Sequence, residues 1–405
     1  MNSENLGKMI SKLRKKSGLT QSQLASRLNV TDKAISKWEN GGGFPEITQI
    51  PALSEVFGVS SDYILKGDPH GIAIAGNIIV DSINIIEKYP EKTMLTNVYS
   101  QSNAVGGCVC NTIIDIAKID PDVFLTAIGK VGNDDNGRFV TSQMKKYGID
   151  VSKIRISDTQ PTSNTMVMSE KDSGERTFFY ASGANSEFGI ADINLDALDC
   201  KIFHAGYIML LEMLDAEDEE YGTKMARLLC EVGKRGIKTS IDVVSSQSDK
   251  FADKIIPALK YCDYAIMNEI ESCNVTGLSP RNNDGSLNID NIKATMETLV
   301  GYGIREKLIV HCSEAGFMLD SKGNFTVSGS LCLPDGYIKG SVGAGDAYAA
   351  GCLYGLYQGY DGEKLLEFAS GTAAMSLSQP DSISGMKPKR DIENLIKMYP
   401  KKQIL

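Results

Sequence analysis

Hydrophobic and polar positions follow two different rhythms along this chain. In the first 66 residues Leu6, Met9, Ile10 and Leu13 recur at helical spacing, followed by the basic cluster Arg14, Lys15, Lys16 and a stop at Ser17-Gly18. Thr20 with Gln23 three residues on reads as a capping box, and Leu24, Ala25 and Leu28 form the buried face of a short second helix. Past a turn at Asn29-Val30, Thr31 caps a third helix with Ala34, Ile35 and Trp38 facing inward and Asp32, Lys33, Ser36 and Lys37 facing outward. Two short helices across a tight turn predict a helix-turn-helix, and helical stretches over 45–57 and 60–65 complete an all-α bundle of five helices.

From Ile72 the rhythm changes. Short apolar runs at 72–80, 124–128, 202–205, 239–243, 264–267 and 308–311 alternate with helical patterns near 110–118, 137–147 and 219–235, which predicts an α/β domain built on a mostly parallel sheet with helices on both faces. Two extended polar stretches, 93–101 and 165–180, break that alternation and predict a small antiparallel β lid. The expected organisation is a helix-turn-helix domain over 1–66, a linker over 67–71 and the large domain over 72–405. Fully extended, the linker reaches only about 17 Å.

Length and composition agree with two globular domains: 405 residues, 42% hydrophobic and 23% charged. The longest apolar run, 72–80, falls well short of the ~20 residues that cross a bilayer, so no membrane partner is expected. Nine cysteines without a CxxC pair read as reduced thiols, and the expected location is the cytoplasm. Charge is uneven, net +3 over residues 1–66 and net −12 over the remainder, which points to nucleic acid at one end only. Net +3 is modest, so useful affinity calls for a homodimer reading two half-sites.

The richest local chemistry lies in Gly340-Ser341-Val342-Gly343-Ala344-Gly345-Asp346, which leads into an alanine-rich helix. Glycines permit a tight turn and close backbone approach, the first N–H groups of the helix can hold an anion, and Asp346 can accept a hydroxyl proton there. An ordinary capped helix start is the alternative. Elsewhere Asp81, Gly106-Gly107, Asn111, Asn268 and Glu271 fall at the predicted strand ends and helix starts where ligands bind in open sheets, and each taken alone also reads as a cap or turn. His70, His204 and His311 read as too dispersed for a metal cluster, the acidic run 215–220 as a solvated helix start, 207–211 as apolar packing at a strand end, and Arg176 as an exposed lid residue.

Two resemblances gather these residues. Leu19-Thr20-Gln21, Gln23-Leu24-Ala25, Val30-Thr31, Ile35-Ser36-Lys37-Trp38-Glu39-Asn40-Gly41, Pro45 and the stretch 57–65 resemble the Cro/repressor (XRE-like) helix-turn-helix domains. That resemblance implies double-stranded DNA as partner, Gln21 on a phosphate, and Thr31, Lys33, Ser36 and Lys37 in or beside the major groove. Residues 72–395 resemble the ribokinase-like PfkB carbohydrate kinases through Gly76 with Asp81, Gly106-Gly107 with Asn111, Gly129-Lys130-Val131-Gly132-Asn133-Asp134 with Gly137, Gly183-Ala184-Asn185, Asn268 with Glu271, and Gly343-Ala344-Gly345-Asp346.

The second resemblance implies ATP and Mg2+ as cofactors and a sugar or nucleoside-like substrate. Asp81, Gly107 and Asn111 would hold substrate hydroxyls, Asn268 and Glu271 would organise magnesium and phosphates, Gly343, Ala344 and Gly345 would form an anion hole, and Asp346 would be the base. Gly340-Ser341, the segment His311-Cys312-Ser313-Glu314-Ala315-Gly316 and Ile79 depart from the family pattern. These departures bear on nucleotide choice and disfavour ribose. They also support a rival reading, a transcription regulator whose kinase-like domain senses a metabolite without turning it over.

Overall fold

The computed structural model describes residues 3–57, 61–66, 71–244 and 251–404. The chain separates into two compact units, Met1–His70 and Gly71–Leu405. Most of the expected linker, and His70 with it, lies outside the described residues, as does the 58–60 part of the stretch closing the bundle.

Among the described residues the first unit holds five helices, Ser3–Lys16, Gln21–Leu28, Asp32–Glu39, Gln49–Phe57 and Ser61–Lys66. Local chemistry sets their ends. The Thr20 side chain accepts from Gln23 N–H while Gln23 reaches back to Thr20 N–H, and Thr31 accepts from Ala34 N–H. Leu6, Ile10, Leu24, Ile35, Leu53 and Ile64 make one core.

The second unit is built on a nine-stranded sheet in the order Phe325–Gly329, Ala315–Asp320, Lys307–His311, Tyr264–Asn268, Lys238–Val243, Ile202–Ile208, Ile72–Gly76, Leu125–Gly132, Asp150–Ser157. All neighbours pair in parallel except the first three strands of that order, which pair antiparallel. Alternation along the strands sorts side chains to two faces. Ile72 and Ile74 enter one core with the helices Gly107–Ile119, Ala344–Tyr357 and Gly362–Ser376, while Ala73 and Ala75 enter the other with Lys224–Lys234, Phe251–Leu259 and Ile289–Gly301. Burial on both faces is why these strands read as continuous apolar runs.

A second sheet, in the order Val98–Gly106, Ile79–Ile86, Asn164–Glu170, Arg176–Ala181, forms the lid. Two expectations are corrected by it. The apolar run 72–80 is not one strand: it breaks after Gly76, and its second half enters the lid. The buried Asn77 side chain donates to Leu210 O and accepts from Tyr207 N–H, and Asn185 grips Ile78 by both its N–H and its carbonyl. Asp81 therefore lies within a lid strand, opposite Ala104 and Thr165, and does not end the first core strand. The lid is also mixed, because Ile79–Ile86 runs parallel to Asn164–Glu170. The helix expected over 219–235 starts at Lys224, since the acidic run before it is used otherwise. Asp215 accepts from the N–H groups of Met209 and Leu211, and Asp218 pairs with Arg227.

Candidate active site and helix-turn-helix surface

Asp346 sits in the first turn of the Ala344–Tyr357 helix, and that turn is shaped by Gly343, whose φ of +75° suits glycine. Ala344 N–H donates to Ser341 O at 3.3 Å and Ala347 N–H to Gly343 O at 2.8 Å. The Gly345 and Asp346 N–H groups between them have no backbone acceptor among the described residues. They are the donors a helix start leaves open, whereas the amide of Ala344 is directed into the turn.

The Asp346 carboxylate is 5% exposed and held from both sides. The Tyr207 hydroxyl donates to Oδ1 and Asn111 Nδ2 donates to Oδ2 at 2.9 Å, and Asn111 is itself fixed by the Ser382 hydroxyl at 2.9 Å. Burial pushes the carboxyl up to about 6, opposed by the two hydrogen bonds and assisted by the negative charge of Asp242. Asp81 is likewise raised to about 6, chiefly by burial, with Asp346 adding to the shift and Thr165 and Arg176 opposing it. Burial is thus the main cause of both shifts, since it disfavours the charged form.

Asp346 opens onto a cavity of about 170 Å³ whose wall also holds Tyr207, Asp242, Asn268, Glu271 and His311. Asn268 and Glu271 begin the Glu269–Thr276 helix with a reciprocal box: Asn268 Oδ1 accepts from Glu271 N–H at 2.7 Å and Glu271 Oε2 from Asn268 N–H at 2.9 Å. Gly107 has φ +82°, and a side chain there would press on Asn77 O at 2.6 Å. At Gly106 a Cβ would stand 2.5 Å from Asp81 Oδ2, so the paired glycines let the lid acid approach the helix start. The sequence-predicted residues thus divide. Asp346, Gly345, Asn268 and Glu271 line the cavity, Asn111 buttresses Asp346, and Gly107 and Asp81 lie on the lid side.

Asp242 was not singled out in the sequence, and Tyr207 was read only as apolar packing. Tyr207 is no mere packing residue at a strand end, because its hydroxyl is spent on Asp346, 139 positions away. Among the described residues no two histidines come together, but His204 lies beside Cys108 and Asp242. In the divergent segment 311–316, His311 stacks on Tyr348 with ring centroids 4.5 Å apart, burial pulling its pKa down to about 4. Glu314 is tied to Arg281 by bonds of 2.8 and 3.1 Å, which with its Ser313 contact hold its carboxyl down at about 2.

On the helix-turn-helix unit, Thr31, Lys33 and Lys37 are exposed along the third helix and Ser36 is half-buried. Gln21 starts the second helix, but its amide donates to Glu39 Oε2 at 2.8 Å, joining the Arg14–Glu39 ion pair of 2.6 Å. Among the described residues no helix is long and apolar enough to cross a membrane.

An open α/β sheet with a lid, and an acid at a glycine-shaped helix start, defines the architecture of small-molecule phosphotransferases of the ribokinase-like type. Residues 71–390 match the model of the pfkB family carbohydrate kinases, and the chain belongs to that family. Residues 10–64 match a helix-turn-helix model. The second unit is similar to a nucleoside kinase of Methanocaldococcus jannaschii, 23% identical over 310 residues covering 76% of this chain and 91% of that protein. It is also similar to a 5-dehydro-2-deoxygluconokinase of Bacillus subtilis, 26% identical over 337 residues covering 80% and 95%. The solved structure of Arabidopsis thaliana ribokinase complexed with ribose and ATP shares the fold, with a TM-score of 0.67 at 18% identity over 81% of this chain and 99% of that one.

Proposed function

We propose that residues 72–405 form an ATP- and Mg2+-dependent kinase that phosphorylates a hydroxyl of a sugar or nucleoside-like substrate. Residues 1–66 act as a sequence-specific domain for double-stranded DNA, joined by a linker over 67–71, in a cytoplasmic homodimer. The observation that carries the catalytic reading is the Asp346 carboxylate, buried, raised to about 6, and facing a cavity beside two helix-start N–H groups.

On this reading Asp346 takes the proton of the acceptor hydroxyl, with Tyr207 and Asn111 fixing which lone pair points at it. The turn Gly343, Ala344 and Gly345 receives the transferring phosphoryl, most directly through the open amide of Gly345. Asp81, Gly107 and Asn111 bound the substrate from the lid side. Among the described residues the cavity wall carries Asp242, Glu271 and Asp346 and no lysine or arginine, so a triphosphate entering it needs a cation, and the oxygen donors of Asn268 and Glu271 suit magnesium. Bound there, Mg·ATP supplies the phosphoryl group with its charge already partly neutralised. On the other unit, Thr31, Lys33, Ser36 and Lys37 face the major groove, and Gln21 must exchange its bond to Glu39 for one to a DNA phosphate.

A sensor that binds metabolite without catalysis draws support from the segment 311–316, where the Glu314–Arg281 pair and the His311–Tyr348 stack stand in place of the family pattern. One assay separates the two readings. Sugars, sugar acids and nucleosides are each supplied with ATP and Mg2+, and ADP release is followed together with thermal shift. Turnover abolished by Asp346→Asn supports the kinase. A thermal shift without ADP release supports the sensor, and equal turnover by wild type and Asp346→Asn refutes the assignment of the base.

A further inference from the structure

We propose that Cys108, His204 and Asp242 form a binding site for one divalent transition-metal ion of the zinc class, behind the cavity wall and separate from the magnesium position at Asn268 and Glu271. Three separated parts of the chain build it. His204 comes from the strand Ile202–Ile208, Asp242 from the adjacent parallel strand Lys238–Val243, and Cys108 from the start of the helix Gly107–Ile119. Their ligand atoms all lie within 4.8 Å of one another, and His204 Nε2 is 3.4 Å from Asp242 Oδ2.

Two observations independent of proximity point to a ligand. His204 is fully buried and Asp242 nearly so, yet His204 Nε2 and Asp242 Oδ1 have no hydrogen-bond partner among the described residues. Buried polar atoms are rarely left in this state without an ion or water. The other ring nitrogen, Nδ1, is spoken for by the Ser240 hydroxyl at 3.0 Å, which aims Nε2 at the cluster as an outer partner does for a metal-bound histidine. Gly206 completes the setting, since any side chain there would collide with both Asp242 Oδ1 and Cys108 Sγ.

The donor set selects the class of ion. A thiolate, an imidazole and a carboxylate suit zinc, whereas magnesium takes oxygen ligands and leaves a thiol unused. Bond lengths of about 2.0 to 2.3 Å put ligand atoms roughly 3.3 to 3.8 Å apart around a tetrahedral ion. The His204–Asp242 side already has this spacing, and no separation among the three has to close by more than roughly 1 to 1.5 Å. On binding, the Cys108 proton leaves to solvent, so thiolate and carboxylate together balance the two positive charges and the buried complex is neutral. Asp242 also lines the cavity, so the fourth coordination position can be filled by water from that side.

The test uses the full-length, tag-free protein, stripped with a chelator and then loaded with Zn2+ or Co2+ and desalted. One zinc per chain by elemental analysis and a thiolate-to-cobalt charge-transfer absorption are expected. Cys108→Ser should lose that absorption, and His204→Gln should weaken retention by more than about 100-fold. Glu271→Gln should keep both the stoichiometry and the spectrum. A cobalt spectrum without the thiolate band, or zinc lost on Glu271→Gln, overturns the proposal. Should either ligand variant fail to fold, the wild-type cobalt spectrum decides alone. None of these readouts depends on phosphoryl transfer, so they stand apart from success or failure of the kinase assay.

Discussion

The helix-turn-helix unit and the cavity of the larger unit assemble their polar surfaces in opposite ways. Thr31, Lys33, Ser36 and Lys37 share one short helix, set by a cap at its start and a buried stripe on its back. Around the cavity, Tyr207, Asp242, Glu271 and Asp346 arrive from four separate strand ends and helix starts. A surface made by one element fails when that element unfolds and is otherwise tolerant. A surface assembled from many elements fails at single atoms.

The sharpest contrast is expected from Asp346→Asn, which keeps the shape of the cavity but removes the proton acceptor. On the proposed reading kcat falls about 10²- to 10⁴-fold in an ADP-release assay while DNA binding by gel shift is unchanged. The converse variant is Ile35→Ala, which truncates a fully buried core residue of the small unit. A loss of about 2–5 kcal/mol is expected there, seen as a lowered melting transition and lost DNA binding with ADP release retained. Should both activities fall together in either variant, the two surfaces are not independent.

Smaller effects sharpen the comparison. Tyr207→Phe removes a hydrogen bond that lowers the pKa of Asp346, so the acid limb of the kcat/KM profile should move to higher pH with roughly tenfold lower activity near neutrality. In the wild type that limb should lie near pH 6, because a base raised to about 6 is protonated and idle below it. Stability carries the opposite sign. The folded state keeps this proton to higher pH than the unfolded chain, whose aspartates titrate near 4, so between about pH 4 and 6 the contribution of Asp346 to stability declines as pH rises. Last, Lys33→Ala should lower the slope of log affinity against log salt by about 0.9 if its ammonium meets one DNA phosphate.

Sequence reading succeeded where both partners of an interaction are close neighbours in the chain. The box at Thr20 with Gln23, the cap at Thr31 and the capped helix start at Asn268 involve residues three apart, and the apolar stripes of the small unit are local as well. It failed where partners are remote. The break after Gly76 depends on Leu210 and Asn185, 133 and 107 positions from the residues they hold, so Asp81 was assigned to the wrong sheet. Tyr207 resembled apolar filling because nothing near it in the chain reveals Asp346 as its acceptor. Asp215 sat in an acidic run that looked solvated, yet it is half-buried on backbone amides and raised to about 6, chiefly by desolvation.

The grip of Asn185 on Ile78 has a mechanical consequence. Asp81 stands three residues beyond that clamp on a stiff strand, a lever arm of about 10 Å. Tilting the lid by only about 10° about this fulcrum would swing the Asp81 carboxylate by roughly 2 Å relative to Asp346, which is anchored in the main sheet's helix layer. If Asp81 holds the acceptor as proposed, lid angle and acceptor alignment would be geared together at a single asparagine, because a misplacement of about 1 Å can cost 100-fold in rate.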